Sequence, residues 1–369
     1  MAASTASSVA TDVAASSSAA RSTALTTDRE RRVALLATKL RATVGARWGV
    51  PDGAVVDTSV LGASIADPEG RRLWVLLDED PERRLGMALA MAVRGGDAGA
   101  PNELHLICQN PGSAGVLARR ASELTAPVHV WVANGPELTP AAPASPANDP
   151  APPPEAELYR PVIAAAGLEP VVEGGELIGE LLGLEVARVV VADDGEAHLE
   201  AGVGRFDREA GSMMFAHLGE TDSVARAVDV VRRQRGPRTD RHPLNQLVPE
   251  RWLRAVVVSR PDLVGASELR PVGSACPRRN LREAGVATAI GTAPDGTPMV
   301  VVCSTGVDLD LVPSASDDRL THAPGARLVL VLPEADALPI TRDLASLLRD
   351  TAEIVTIEGD WRSLTEVAP

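Results

Sequence analysis

Three short turns, Asp67-Pro-Glu-Gly70, Asp193-Asp-Gly195 and Pro294-Asp-Gly296, constrain this chain more than any other feature. Each lies between two runs rich in β-branched and apolar residues, which is the pattern of a tight β-hairpin. The flanking runs are Val55 to Ile65 with Arg72 to Leu77, Glu185 to Val191 with Ala197 to Val203, and Ala287 to Thr292 with Met299 to Ser304. An acid stands twelve residues beyond each turn glycine: Glu82, Asp207 and Asp308. From Gly70 to the next strand is 34 residues and from Gly296 it is 31, a match that predicts an internal repeat.

The elements between the hairpins follow one grammar. A helix from Thr27-Asp28 to Val44 precedes the first hairpin, and Leu158 to Ala166 precedes the second. After the first come a helix opened by Pro81, a strand at Leu104 to Cys108, a helix at Ala114 to Leu124 and a strand at Val128 to Val132. The second is followed by a helix at Ser223 to Arg233 and a strand at Trp252 to Val258. The third is closed by strand Arg327 to Leu332, helix Ile340 to Arg349 and strand Ile354 to Ile357. The expected fold is α/β: tandem units of a β-hairpin plus α-β-α-β. Residues 1–26, mostly Ala, Ser and Thr without an apolar core, read as a disordered tail and not a signal peptide. An α/β domain at 27–135 follows, then a Pro/Ala-rich linker at 136–157. A C-terminal region at 158–369 holds two related units, about 158–270 and 271–369.

Composition sets what fills these units and what they avoid. Hydrophobic residues make up 45% of the chain but aromatics only 2%, so Val, Leu, Ala and Ile must build the cores. The net charge of −14 repels phosphate backbones, which argues against non-specific nucleic-acid binding. Of 36 basic residues only Lys39 is a lysine, so no P-loop or Schiff-base lysine motif is present. Cys108, Cys276 and Cys303 form no CxxC and read as reduced thiols of a cytoplasmic protein. No run approaches the ~20 apolar residues of a membrane span.

A β-hairpin followed by an α-β-α-β closure resembles the restriction-endonuclease-like, or PD-(D/E)XK, family. That resemblance implies a metal-binding Asp on the first hairpin strand and Glu-x-Lys on the second. The second strands read LWVLLDED, HLEAGVGRFD and MVVVCSTGVD; none contains a lysine, and only Glu200 is an acid at a strand centre. The likeness is therefore one of topology, and the catalytic motif is unmatched.

Carboxylates and arginines supply the remaining candidates. Glu200, Asp207 and Asp308 are the candidate catalytic acids. Asp308 and Asp310, two apart, would share one face of a strand and suit a hard cation such as Mg²⁺. The structural alternative makes Asp193 and Asp194 turn residues and Asp308 and Asp310 the solvated end of a strand. Gly202 and Gly204 in GVGRFD read as turn glycines and not as a dinucleotide fingerprint. Arg232, Arg233, Arg235, Arg238 and Arg241 form the densest basic stretch and are the candidate anion site, against a helix C-terminus with a solvated connector. The six histidines show no metal-ligand spacing, although His105 and His129 fall on neighbouring predicted strands. Ser304 lies in no nucleophile-elbow motif.

Three functions are compatible with these residues. The first is a non-catalytic binding or assembly protein on a degenerate endonuclease-like scaffold, with no cofactor and a protein as partner. The second is a metal-dependent nuclease or hydrolase using Glu200 with Asp207 or Asp308 and Mg²⁺. The third is a small-anion or nucleotide binder working through the arginines.

Overall fold

A computed structural model describes residues 30–58, 61–69, 71–95, 103–148, 150–204, 207–208, 219–236, 242–278 and 280–365. The predicted tail at 1–26 and the turn glycine Gly70 lie outside these. The chain divides into two compact units, Met1–Ala121 with Ala126–Ala144, and Ser122–Thr125 with Ser145–Pro369. The fold is α/β. None of the described helices is long and apolar enough to cross a membrane.

The first unit is a mixed sheet in the order β1-β2-β3-β4-β5-β6. Its strands are β1 (Val56–Asp57), β2 (Gly62–Ala66), β3 (Arg72–Leu77), β4 (Glu103–Cys108), β5 (Val128–Asn134) and β6 (Glu137–Pro140). The hairpin β2–β3 is antiparallel, whereas β3, β4 and β5 run parallel through α2 (Leu85–Gly95) and α3 (Pro111–Ser122). Because parallel strands are covered on both faces, β3 and β4 read as nearly unbroken apolar runs. Helix α1 (residues 30–48) lays Leu36, Leu40 and Val44 over Ile65, Trp74, Ile107 and Trp131. His105 and His129 are directly paired across β4 and β5, their rings stacked at 5.0 Å. Burial, then the neighbouring His129, pushes His105 down to about 4; its Nδ1 accepts from Trp131 Nε1 at 3.2 Å, so it is a neutral member of the aromatic core.

The second unit contains two sheets. The first is an antiparallel meander of β7 (Glu169–Glu173), β8 (Glu176–Leu181), β9 (Leu184–Val191) and β10 (Ala197–Ala201). Short helices α4 (Pro154–Glu157) and α5 (Arg160–Ala165) and the longer α6 (Glu220–Gln234) pack on it. The other sheet runs β11-β12-β13-β14-β15, with strands Glu268–Val272, Ala287–Thr292, Pro298–Cys303, Arg327–Pro333 and Ala352–Ile357. Helices α7 (Pro249–Ser259), α8 (Leu311–His322) and α9 (Pro339–Ala345) accompany it.

Element by element, this last sheet follows the same order as the first unit. In each, a helix precedes three antiparallel-paired strands, and a helix, a parallel strand, a second helix and another parallel strand follow. The registers correspond as well: Leu104 pairs with Val128, and Leu328 with Ala352. The middle segment is not a third copy. The predicted strand Trp252 to Val258 is helix α7, so no α-β-α-β closure follows the second hairpin. Its β-branched Val256, Val257 and Val258 suggest a strand, but Pro249 starts a helix well and Trp252/Val256 with Leu253/Val257 form an i, i+4 apolar face. The helix that precedes the last sheet is thus α7, Pro249–Ser259.

The predicted linker also takes on structure. Glu137–Pro140 pairs with β5, and Ala144 N donates to Gly115 O at 2.9 Å, so the stretch up to Ala144 belongs to the first unit. The linker's far end, Pro154–Glu157, forms the short helix α4, with proline in the first turn where its missing N–H costs nothing.

Candidate functional site

A cleft of about 1680 Å³ opens in the second unit, along β9–β10, α6 and the segments around residues 242–247 and 273–282. Sequence explains its two textures. In α6, Val224, Val228 and Val231 repeat at helical spacing and are buried against the meander. The adjoining stripe, Ala227 and Val230, faces the cleft, and Val230 remains 41% exposed. With Leu199, Val203, Leu244 and Leu281 these residues make an apolar floor.

The charged wall is built from ion pairs. Arg188 donates from both Nε and Nη2 to Glu185 at 2.8 Å and also pairs with Glu176. Arg208 lies 2.6 Å from Glu185 and 3.6 Å from Glu200. Arg278 pairs with the buried Glu250. Behind the cleft Glu180, 3% exposed on β8, receives Arg251 at 3.1 Å and Arg254, both from α7. Burial raises the Glu180 carboxyl, but the two guanidiniums outweigh it and hold it below the usual range. Arg251 reaches on to Glu173 at 2.6 Å. The meander fits this helix closely because Gly183, at φ +73°, turns β8 into β9 directly against it. A Cβ there would meet the Arg251 carbonyl carbon at 2.3 Å.

At one end of the cleft, Asp318 of α8 is wholly buried. It accepts from Ala275 N at 2.6 Å, from Ser274 Oγ at 3.0 Å and from Thr288 Oγ1. Burial dominates and raises its carboxyl to about 6 from 3.8. The sign follows directly. Between those values the folded chain binds a proton that the unfolded chain does not, so stability rises as pH falls from about 6 towards 3.8. Wild type is therefore expected to gain thermal stability relative to Asp318→Asn over that interval. A wild-type-minus-variant difference in Tm that stays constant with pH would contradict this.

The sequence candidates are distributed unevenly. Glu200 and Asp207 both line the cleft. Glu200, however, already faces the Arg208 guanidinium at 3.6 Å, and Asp207 Oδ2 accepts from Val203 N at 2.7 Å, closing the Gly202–Gly204 turn. Asp308 is not with them. Asp308 and Asp310 occupy a turn before α8 and not a strand, because the strand ends at Cys303; Asp308 Oδ1 accepts from Asp310 N at 2.9 Å. Among the described residues no three His, Cys, Asp or Glu side chains are arranged to hold a metal ion.

The three described arginines of the basic stretch, Arg232, Arg233 and Arg235, take separate partners. Arg235, 1% exposed, donates to Leu182 O at 2.9 Å and to Leu247 O at 3.1 Å, and stacks 4.8 Å over Trp252. Its fork is consumed by backbone carbonyls. Arg233 donates to Asp229 O on its own helix, Arg232 lies beside Gly167, and Arg238 and Arg241 lie outside the described residues. Ser304 is buried on the third hairpin, away from the cleft.

Sequence reasoning missed Glu180 and Asp318, and it read Arg251 and Arg254 as a continuation of the basic stretch and not as partners of a buried acid. Comparison of the chain with protein-family models, with curated proteins and with solved structures finds no match.

Proposed function

We propose that the chain is a non-catalytic binding protein whose cleft receives an amphipathic polypeptide segment. One observation carries the reading: an apolar floor bordered by arginines and glutamates already fixed in pairs. At about 1680 Å³ the cleft exceeds the roughly 300–1,000 Å³ of small-molecule pockets, and a long apolar floor with a charged rim suits a helix laid in a groove. Pre-paired charges present a mixed rim that selects orientation without stranding a buried ion.

The two α/β sheets serve in this reading as an endonuclease-like scaffold. Support for that comes from their element order, hairpin then α-β-α-β, and from the apolar content of the strands that would carry catalysis. GASIA, RLWVLL, ATAIGT and PMVVVC hold no acid and no lysine. Glu200, the acid of the nuclease alternative, is on the meander and outside both such sheets.

Anilinonaphthalene sulfonate, an apolar anion, tests the site. It should bind saturably, and Val230→Glu should weaken it about tenfold. Leu35→Glu, a change at an exposed residue of α1, should leave it unaltered. A capped peptide with leucines on one helical face and mixed lysine and glutamate on the other should displace the dye. Dye binding indifferent to Val230→Glu would remove the site, and failure of the peptide to compete would remove the polypeptide ligand.

A further inference from the structure

The two α/β sheets share an element order and differ at their last strand. In the first unit β5 is not an edge: the chain turns at Gly135 (φ +61°) and returns as β6, pairing antiparallel from Asn134↔Glu137 to Trp131↔Pro140. The corresponding strand of the second unit, β15, is followed at the matching place by Gly359 (φ +68°). There the chain does not return. Asp360 caps a short 3-10 turn, Trp361–Leu364, by accepting from Arg362 N at 3.2 Å. Trp361 is buried edge-on against Trp252 at 5.8 Å. That anchor draws the chain away, and β15 is left pairing with β14 alone among the described residues.

An open edge presents a row of unpaired N–H and C=O groups, which is a template for another strand. We propose that the outer edge of β15 is a docking site for an extended, basic polypeptide segment, added antiparallel where β6 lies in the first unit. Its chemistry is read from the edge. The stretch Asp350 to Asp360 carries Asp350, Glu353, Glu358 and Asp360 and no basic residue. Glu353 is paired with Arg327 (Nε at 3.1 Å), Asp350 lies 4.0 Å from Arg319 and Asp360 caps the following turn, yet Asp350 and Glu358 are both exposed, so the two ends of the strand present acidic side chains to a ligand. A second copy of β15 placed antiparallel would bring acid against acid, so self-pairing is disfavoured and lysine or arginine on the incoming strand is favoured. Ile354, Val355 and Thr356 are each half-buried, matching a strand that alternates small apolar and charged residues.

The probe is a capped synthetic peptide alternating arginine with threonine and valine, titrated into the full chain by fluorescence anisotropy and followed by hydrogen exchange. Saturable binding with slowed exchange over residues 352–357 is expected. N-methylation of alternate peptide amides removes strand donors without changing charge, and should weaken binding about tenfold or more. Replacing the arginines by glutamates should do the same, as should Asp350→Lys with Glu358→Lys, two exposed positions outside the core. The proposal is overturned by absent binding, by binding indifferent to N-methylation, or by protection located at the cleft instead. Concentration-dependent dimerisation that occludes residues 352–357 would assign the edge to a second copy, and would also overturn it.

Discussion

Glu180→Ala is expected to destabilise the chain by about 3–5 kcal/mol, read as a fall in the urea midpoint with little change in slope. The carboxylate lies between Arg251 and Arg254, all three less than a tenth exposed. Removing it strands two guanidiniums in a site from which water is largely excluded. Arg251 keeps Glu173, and Arg254 keeps the Val272 carbonyl at 3.1 Å, so some compensation remains. The origin of the loss can be separated from the geometry. If stranded charge is responsible, adding Arg251→Met and Arg254→Leu to Glu180→Leu should recover most of it, because packed apolar groups often replace a buried ion network without penalty. A triple variant as unstable as Glu180→Ala would instead make the ion pairs themselves indispensable.

Trp252→Ala should cost a comparable amount, about 3–5 kcal/mol. The indole is wholly buried on α7 and packs edge-on to Trp361 at 5.8 Å, beneath Arg235 at 4.8 Å. It also donates from Nε1 to Thr365 Oγ1 at 2.9 Å. Alanine leaves a cavity where three segments meet. Phenylalanine keeps most of the contact and loses the donor, so Trp252→Phe should fall well short of the alanine variant in a thermal melt. Equal losses from both would mean that the hydrogen bond, and not the packing, dominates.

The turn glycines carried much of the fold into view. Asp-Gly and Glu-Gly between β-rich runs placed all three hairpins, and the similar spacings after Gly70 and Gly296, 34 and 31 residues, match the common element order of the two α/β sheets. Helix α8 was invisible for a physical reason. Ser314, Ser316, Asp317 and Asp318 are all buried, so the helix has no apolar stripe to contrast with a polar one. Strand β11 escaped because ELRPV contains a proline, which is tolerated there only because β11 is an edge. The site was legible in part. Glu200 and Asp207 do face the cleft, but the approach of Arg208 to Glu200 depends on a side-chain placement that spacing does not encode. Arg235 sat in the most basic stretch of the chain and still serves the backbone, because what surrounds a guanidinium is decided by the tertiary fold.

The most direct test of the cleft as a binding site is hydrogen exchange on the full chain with and without a saturating amphipathic peptide. Slowed exchange is expected in residues 199–204, 220–236 and 242–247, with residues 103–121 of the first unit unchanged and the effect lost in Val230→Glu. Protection confined to the first unit, or none at any peptide concentration, would contradict it.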